Sequence, residues 1–133
     1  VADFLKEAAP EAERAGVVMG LENTCSAEQN ARMLDRIQSK AVRVYYDVGN
    51  STKANWDILK EIPWLGAERI CQFHLKDNPH FLGEGTIQFQ KVMDAIMALG
   101  FEGFANLETQ SPTKMLEDDM VRNRKFVEAL LRS

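Results

Sequence analysis

Short apolar runs alternate along the chain with longer stretches in which apolar residues recur every three or four positions. Short runs rich in Val, Tyr, Phe and Leu are typical of buried strands, and the longer stretches are typical of amphipathic helices. The pattern predicts one helix followed by four strand-helix units, the last helix running from Glu117 to Leu131. The strands are predicted at residues 17–22, 43–48, 69–76 and 103–108.

This alternation predicts an α/β fold with a parallel sheet and right-handed crossovers. Two architectures have this order of elements: a small doubly wound sheet and half of a (β/α)₈ barrel. A complete barrel needs about 250 residues, whereas the chain has 133. The pattern alone leaves both architectures open.

Composition narrows the functional classes without identifying one. Hydrophobic residues make up 45% of the chain and charged residues 27%, as in an ordinary globular domain. The net charge of -4, without a cluster of Lys and Arg, argues against a nucleic-acid partner. Two cysteines are too few for a disulfide framework, and no apolar run approaches the roughly 20 residues of a membrane span. We therefore expect a cytoplasmic protein with no membrane partner.

Each predicted strand ends on or near a residue that can bind a metal. These residues are Glu22, Asp47, His74 and Glu108. Alternate residues of a strand share a face. The residues two places before them therefore share their face: Gly20, Tyr45, Gln72 and Asn106. The intervening residues are expected to pack under the helices: Leu21, Tyr46, Phe73 and Leu107.

Taken singly, each candidate ligand has an ordinary structural explanation, because strand-end carboxylates often cap helices and a lone histidine is often hydrogen-bonded in a core. Together they favour a metal, because burying three carboxylates on one face without a cation is unfavourable. The oxygen-rich set favours Mn²⁺ or Mg²⁺, with Co²⁺, Fe²⁺ and Zn²⁺ left open. Neither cysteine is needed, and Cys71 is expected to share the face of Phe73 in the core.

Several ordered segments resemble the C-terminal half of the xylose isomerase-like sugar phosphate isomerase/epimerase superfamily. They are GLEN, YYDVGNS, FHLKD, LGEGTIQF and FANLET. The resemblance runs over essentially the whole chain, and within the superfamily the segments look most like ketose 3-epimerases. It implies the C-terminal half of a (β/α)₈ TIM barrel, with four parallel βα units preceded by one helix. Residues 1–133 would form a single partial barrel domain.

The same resemblance implies a divalent-metal-dependent sugar or sugar-phosphate isomerase/epimerase that transfers a proton next to a ketose carbonyl through an enediolate. The metal, Mn²⁺ in the first instance, would be held by the four strand-end residues. Glu22 and Glu108 would also serve as the acid-base pair, and Lys76, Asn50 and Glu84 would contact the substrate.

Because the superfamily forms complete barrels, the resemblance also implies that the first half of the barrel is absent from this chain. The chain is expected to be a fragment, as its start at Val1 suggests, or to pair with a missing N-terminal half-barrel or with further copies of itself. Alternative functions are a polyol dehydratase, an endonuclease IV-like metal hydrolase, and a non-catalytic truncated domain. The chain has only two histidines, His74 and His80, which argues against the hydrolase. The identity and phosphorylation of the sugar stay open, as does the choice between epimerisation and isomerisation.

Overall fold

The computed structural model describes residues 1–132, which form four strands and six helices. The strands are β1 (Met19–Leu21), β2 (Val42–Asp47), β3 (Ile70–Leu75) and β4 (Phe104–Leu107). The helices are α1 (Ala2–Ala15), α2 (Ala27–Ile37), α3 (Val48–Lys53), α4 (Ile58–Leu65), α5 (Phe89–Ala98) and α6 (Leu116–Leu130). The predicted alternation of strands and helices is therefore confirmed.

The strands form one parallel sheet in the order β1-β2-β3-β4. A doubly wound sheet changes direction at a switch point, whereas the strands of a barrel follow one another in chain order. The observed order is that of half a (β/α)₈ barrel, with four parallel βα units preceded by α1. Of the two architectures that the pattern left open, the half-barrel is the observed one.

The two faces of the sheet differ as the alternation predicts. Tyr46 and Phe73 are buried in the main core, which lies between the sheet and the helices α4 and α5. A smaller cluster around Ala9 and Leu21 lies under α1 and α2. Tyr45 and Gln72 on the opposite face are half-buried, and Gly20 and Asn106 are exposed. In a complete barrel this second face would line the interior, so we call it the open face.

β2 ends one residue earlier than predicted, and a short helix that was not predicted follows it. Val48 was expected to end the strand, but it begins the short helix α3. Asp47 caps this helix, because its Oδ1 accepts a hydrogen bond from the backbone N–H of Asn50 at 2.8 Å. A capping carboxylate satisfies a backbone donor that has no partner within the helix. The chain thus turns away from the sheet directly after Asp47.

Cys71 was predicted on the face of Phe73, and this prediction was wrong. The pairing of β2 with β3 shifts register between Val44 and Tyr45, and Cys71 is the extra residue of the bulge. Its Sγ would lie 3.2 Å from a Cβ built on Gly20, so the thiol faces the open side of the sheet. A bulge resets the alternation of side chains, which is a feature of strand pairing rather than of local sequence. Burial raises the pKa of this thiol.

None of the helices within residues 1–132 combines the length and the hydropathy of a membrane-crossing segment.

Candidate functional site

The strand-end residues meet at the carboxyl edge of the sheet. One ligand atom from each of Glu22, Asp47, His74 and Glu108 lies within 4.8 Å of all the others, and we call this set the four-residue cluster. His74 Nδ1 lies at its centre, 3.2 Å from Glu22 Oε1, 3.6 Å from Asp47 Oδ2 and 3.3 Å from Glu108 Oε2. The order of strands explains the arrangement, because Asp47 and His74 come from the two inner strands and the glutamates follow the two outer ones.

The spacing and chemistry of the cluster are suited to a divalent cation. Ligand atoms bound at about 2.1 Å to one cation lie roughly 3.0–3.6 Å from their neighbours, which is the spacing around His74 Nδ1. Asp47 Oδ2 is buried and accepts no well-aligned hydrogen bond from the described residues, although Lys76 Nζ lies 2.7 Å away. A buried carboxylate oxygen needs a positive partner, which is Lys76 here and could instead be a divalent cation. These residues could therefore hold a hard metal ion.

Tyr45 orients the imidazole of His74. The two rings stack with centroids 4.7 Å apart and planes inclined at 26°. The hydroxyl of Tyr45 accepts hydrogen bonds from Gln72 Nε2 at 2.9 Å and Asn106 Nδ2 at 2.8 Å, which fixes the phenol in turn. Partners that hold a ligand ring in place are a common requirement of metal sites. The sequence placed these three residues on the shared face but did not predict their hydrogen bonds to one another.

Lys76 lies inside the cluster. Its ammonium donates to Glu108 Oε2 and lies 2.7 Å from Asp47 Oδ2. The hydrogen bond from Lys76 holds the pKa of Glu108 below its usual value, against a smaller opposing effect of burial. Burial opposes the charge on Lys76 itself, but the two carboxylates outweigh it and raise the pKa of the amine. Both groups are therefore ionised at neutral pH.

The other two predicted substrate contacts, Asn50 and Glu84, are not part of the four-residue cluster. Asn50 is held at the start of α3 by the hydrogen bond from its backbone N–H to Asp47. Glu84 forms an ion pair with Arg122 on α6, and the guanidinium of Arg122 lies 3.8 Å above the ring of Phe81. The partner of Glu84 is thus on α6 rather than in the four-residue cluster, and no local pattern in the sequence predicts this pairing.

Asp77 organises the loop that follows β3. Its buried carboxylate accepts hydrogen bonds from the backbone N–H groups of Gly83 at 3.1 Å and Gly85 at 2.9 Å. A Cβ on Gly85 would lie 2.2 Å from Asp77 Oδ1, so only glycine allows the loop to close over this carboxylate. Asp77 therefore has a structural role that the sequence pattern did not predict.

A sequence profile described as "Xylose isomerase-like TIM barrel" matches residues 1–130. The chain belongs to this family. The resemblance drawn from the short segments is therefore confirmed. No curated protein sequence matches the chain.

Solved structures agree with the family assignment. The chain is similar to an L-ribulose 3-epimerase with a TM-score of 0.82 and 22% identity, covering 98% of this chain and 52% of that one. A D-allulose 3-epimerase from Methylomonas sp. gives 0.80 at 14% identity, covering 97% and 54%. A D-psicose 3-epimerase from Clostridium cellulolyticum H10 gives 0.80 at 18% identity, covering 98% and 55%. These likenesses establish the fold, and the xylose isomerase-like chain spans about half the length of each structure.

Proposed function

We propose that this chain contributes the metal centre of a divalent-metal-dependent sugar or sugar-phosphate isomerase/epimerase. The observation that carries the proposal is the convergence of four ligand atoms within 4.8 Å, at the carboxyl ends of parallel strands, in a member of the xylose isomerase-like family. This edge of a barrel is where active sites form. The three similar structures described above are named as ketose 3-epimerases, which favours a ketose as the substrate.

Glu22, Asp47, His74 and Glu108 are the proposed metal ligands. Mn²⁺ is the first candidate because carboxylate oxygens outnumber nitrogen in this set, with Mg²⁺, Co²⁺, Fe²⁺ and Zn²⁺ as alternatives. When bound, such a cation would supply Lewis-acid polarisation of the substrate carbonyl.

Glu22 and Glu108 are the proposed acid-base pair. They follow the two outer strands and flank His74 Nδ1, and their side chains are 36% and 48% exposed, against 0% for Asp47. One carboxylate would remove the proton from the carbon next to the carbonyl, and the other would return a proton from the opposite side. The enediolate between these steps would be planar at that carbon, so the configuration could invert. The hydrogen bond from Lys76 lowers the pKa of Glu108 and keeps this glutamate ionised, which is the form that can accept a proton.

Lys76 and Asn50 are the proposed substrate contacts closest to the cluster, since each contacts Asp47 directly. Glu84 would contribute by shaping the loop after β3 through its ion pair with Arg122. The substrate itself would lie over the open face of the sheet, which carries the exposed sides of the cluster.

A complete site would need a second half-barrel. Among the described residues, β1 and β4 each pair with one strand, which leaves one edge of each available. A missing N-terminal half or a second copy of this chain would cover these edges and the open face. Backbone groups at a free strand edge favour such pairing.

Metal binding is the first test of this proposal. The chain is purified with Mn²⁺ and without chelator, and bound metal is measured by elemental analysis. We expect about one equivalent per chain, lost in His74→Ala and retained in His80→Ala, the exposed histidine of the following loop. Metal retained by His74→Ala would contradict the proposed ligand set.

The reaction is tested in a protein that contains both barrel halves. Ketoses and ketose phosphates are incubated in D₂O, and exchange at the carbon next to the carbonyl is followed by NMR. We expect Glu108→Gln to reduce exchange by about 100-fold or more. Glu102→Gln, an exposed glutamate just before β4, should leave exchange unchanged. Full exchange in Glu108→Gln would exclude this glutamate as a proton carrier.

A further inference from the structure

The ammonium of Lys76 uses two of the oxygens that the proposed metal ion would need. Lys76 Nζ contacts Glu108 Oε2 and lies 2.7 Å from Asp47 Oδ2. These same two oxygens are the ones that face His74 Nδ1 at 3.3 and 3.6 Å. The lysine and the imidazole therefore lie beside the same pair of carboxylate oxygens.

The position of Lys76 is built into the fold. Its side chain is only 13% exposed, and that of Asp47 is fully buried. The stem crosses α3 at Gly49, where a Cβ would lie 2.4 Å from Lys76 Cγ. The stem therefore packs in the space that a side chain at residue 49 would occupy, unlike a lysine that moves freely in solvent. The packing thus directs the ammonium into the cluster.

A divalent cation within the cluster would meet this ammonium at short range. Both charges are positive, and repulsion between them is large where one partner is buried. An oxygen that donates its electron pair to a metal is also a weaker acceptor for the lysine. Simultaneous binding of both cations to Asp47 Oδ2 and Glu108 Oε2 is therefore unfavourable.

We propose that Lys76 is a resident cation that exchanges with the metal ion. In the exchange, the metal takes Asp47 Oδ2 and Glu108 Oε2, and the ammonium leaves these oxygens toward the open face. The inference rests on the proposed metal centre and adds an internal competitor to it. Lys76 then lowers the affinity of the site for metal and stabilises the carboxylates when metal is scarce.

If Lys76 only supported the metal ligands, removing it would change the metal affinity in the opposite direction. If the ammonium only held Asp47 and Glu108 in position for the metal, removing it would weaken metal binding. If it competes, removing it strengthens metal binding and destabilises the chelator-treated protein. Affinity and stability measured together therefore separate the two roles.

The test compares the unchanged chain with Lys76→Met, which keeps an apolar stem without the charge. Mn²⁺ binding is measured by calorimetry after EDTA treatment and dialysis, and Tm is measured before Mn²⁺ is added. We expect Lys76→Met to lower Kd about tenfold or more, and to lower Tm by about 5 °C or more because Asp47 loses its partner. Lys91→Met, an exposed lysine on α5, should change neither quantity.

A second measurement does not depend on the folding of a variant. The ¹³Cε resonances of labelled lysines are recorded as Zn²⁺, a diamagnetic cation, is added to the unchanged chain. We expect the most shifted lysine resonance to be that of Lys76, assigned in the unchanged chain by through-bond correlation of its side chain with its backbone.

The outcomes separate this inference from the metal centre itself. If the unchanged chain binds Mn²⁺ and Lys76→Met binds it equally or more weakly, exchange is excluded while the metal centre stands. An unmoved Lys76 resonance at saturating Zn²⁺ excludes exchange in the same way. If the unchanged chain binds no Mn²⁺, the metal centre and the exchange are both wrong.

Discussion

At the scale of single residues, Gly49 shows how a missing side chain can position another. Alanine is favoured over glycine in a helix by about 1 kcal/mol, and Gly49 lies inside α3. A Cβ there would nevertheless lie 2.4 Å from Lys76 Cγ and 3.1 Å from the carbonyl oxygen of Lys76. Helix propensity and packing therefore predict opposite effects for Gly49→Ala.

We expect packing to dominate, so that Gly49→Ala lowers the free energy of unfolding by about 1–3 kcal/mol in urea titrations. In a Lys76→Ala background the Cγ is gone, and the same substitution should be much less destabilising. The double-mutant cycle should give a coupling of about 1 kcal/mol or more. Additive effects would show that the stem of Lys76 does not restrict residue 49.

Asp47 illustrates what the sequence could predict at this scale. The alternation of β2 places Asp47 on the shared face with Tyr45. Its position in the series of strand-end residues suggests that it is a metal ligand. The two oxygens of Asp47 have different roles, since Oδ1 caps α3 and Oδ2 faces the cluster. The sequence could not predict which oxygen has which role. That division depends on the helix beginning at the next residue.

At the scale of secondary-structure elements, the carboxylate of Glu61 connects one strand and two helices. Glu61 on α4 accepts hydrogen bonds from the hydroxyl of Tyr46 on β2 at 2.7 Å and from the backbone N–H of Ala27 on α2 at 2.8 Å. Burial raises the pKa of Tyr46, so its hydroxyl stays protonated and can donate.

Tyr46→Phe should therefore lower the free energy of unfolding by about 1.5–3 kcal/mol, the usual contribution of a hydrogen bond to a charged group. The comparison is Tyr45→Phe, which removes a hydroxyl from the half-buried open face and should have the smaller effect on stability. Equal losses in urea titrations would argue against the Glu61 bridge.

The start of α6 depends on the ionisation of Asp119. Burial opposes the charge on this carboxylate, but hydrogen bonds from Ser111 and Thr113 outweigh burial and lower its pKa. Because the folded-state pKa lies below the value of about 3.9 in an unfolded chain, the ionised group stabilises the fold above about pH 4. This contribution declines as the pH falls through the folded-state pKa.

We expect Asp119→Asn to lower Tm at neutral pH and to flatten the dependence of Tm on pH between about pH 5 and 2. Asp118→Asn removes an exposed carboxylate from the same turn and should keep the slope of the unchanged chain. If both variants kept that slope, Asp119 would not be the group responsible.

At the scale of the whole molecule, the half-barrel leaves an aromatic side chain uncovered. Phe104 begins β4 on the open face, two residues before Asn106, and is 75% exposed. A large exposed apolar group beside a free strand edge favours association. In a closed barrel the same position would be buried.

We therefore expect the chain to associate in a concentration-dependent way in sedimentation velocity, and Phe104→Lys to shift it toward monomer. Trp64→Lys replaces an aromatic residue of α4 that is 53% exposed on the helical side, and it should leave association unchanged. A chain that stays monomeric at high concentration would contradict this account of the open face.

The sequence by itself determined the alternation of four strands with helices, the face on which the strands present their side chains apart from Cys71, and the candidate ligands at the strand ends. These follow from periodicity, which is local and can be read along the chain. Only the tertiary structure decided the bulge at Cys71, the pairing of Glu84 with Arg122, and the position of Lys76 between Asp47 and Glu108. Each of these depends on contacts between residues far apart in sequence, so strand register and helix packing set their distances and local pattern does not.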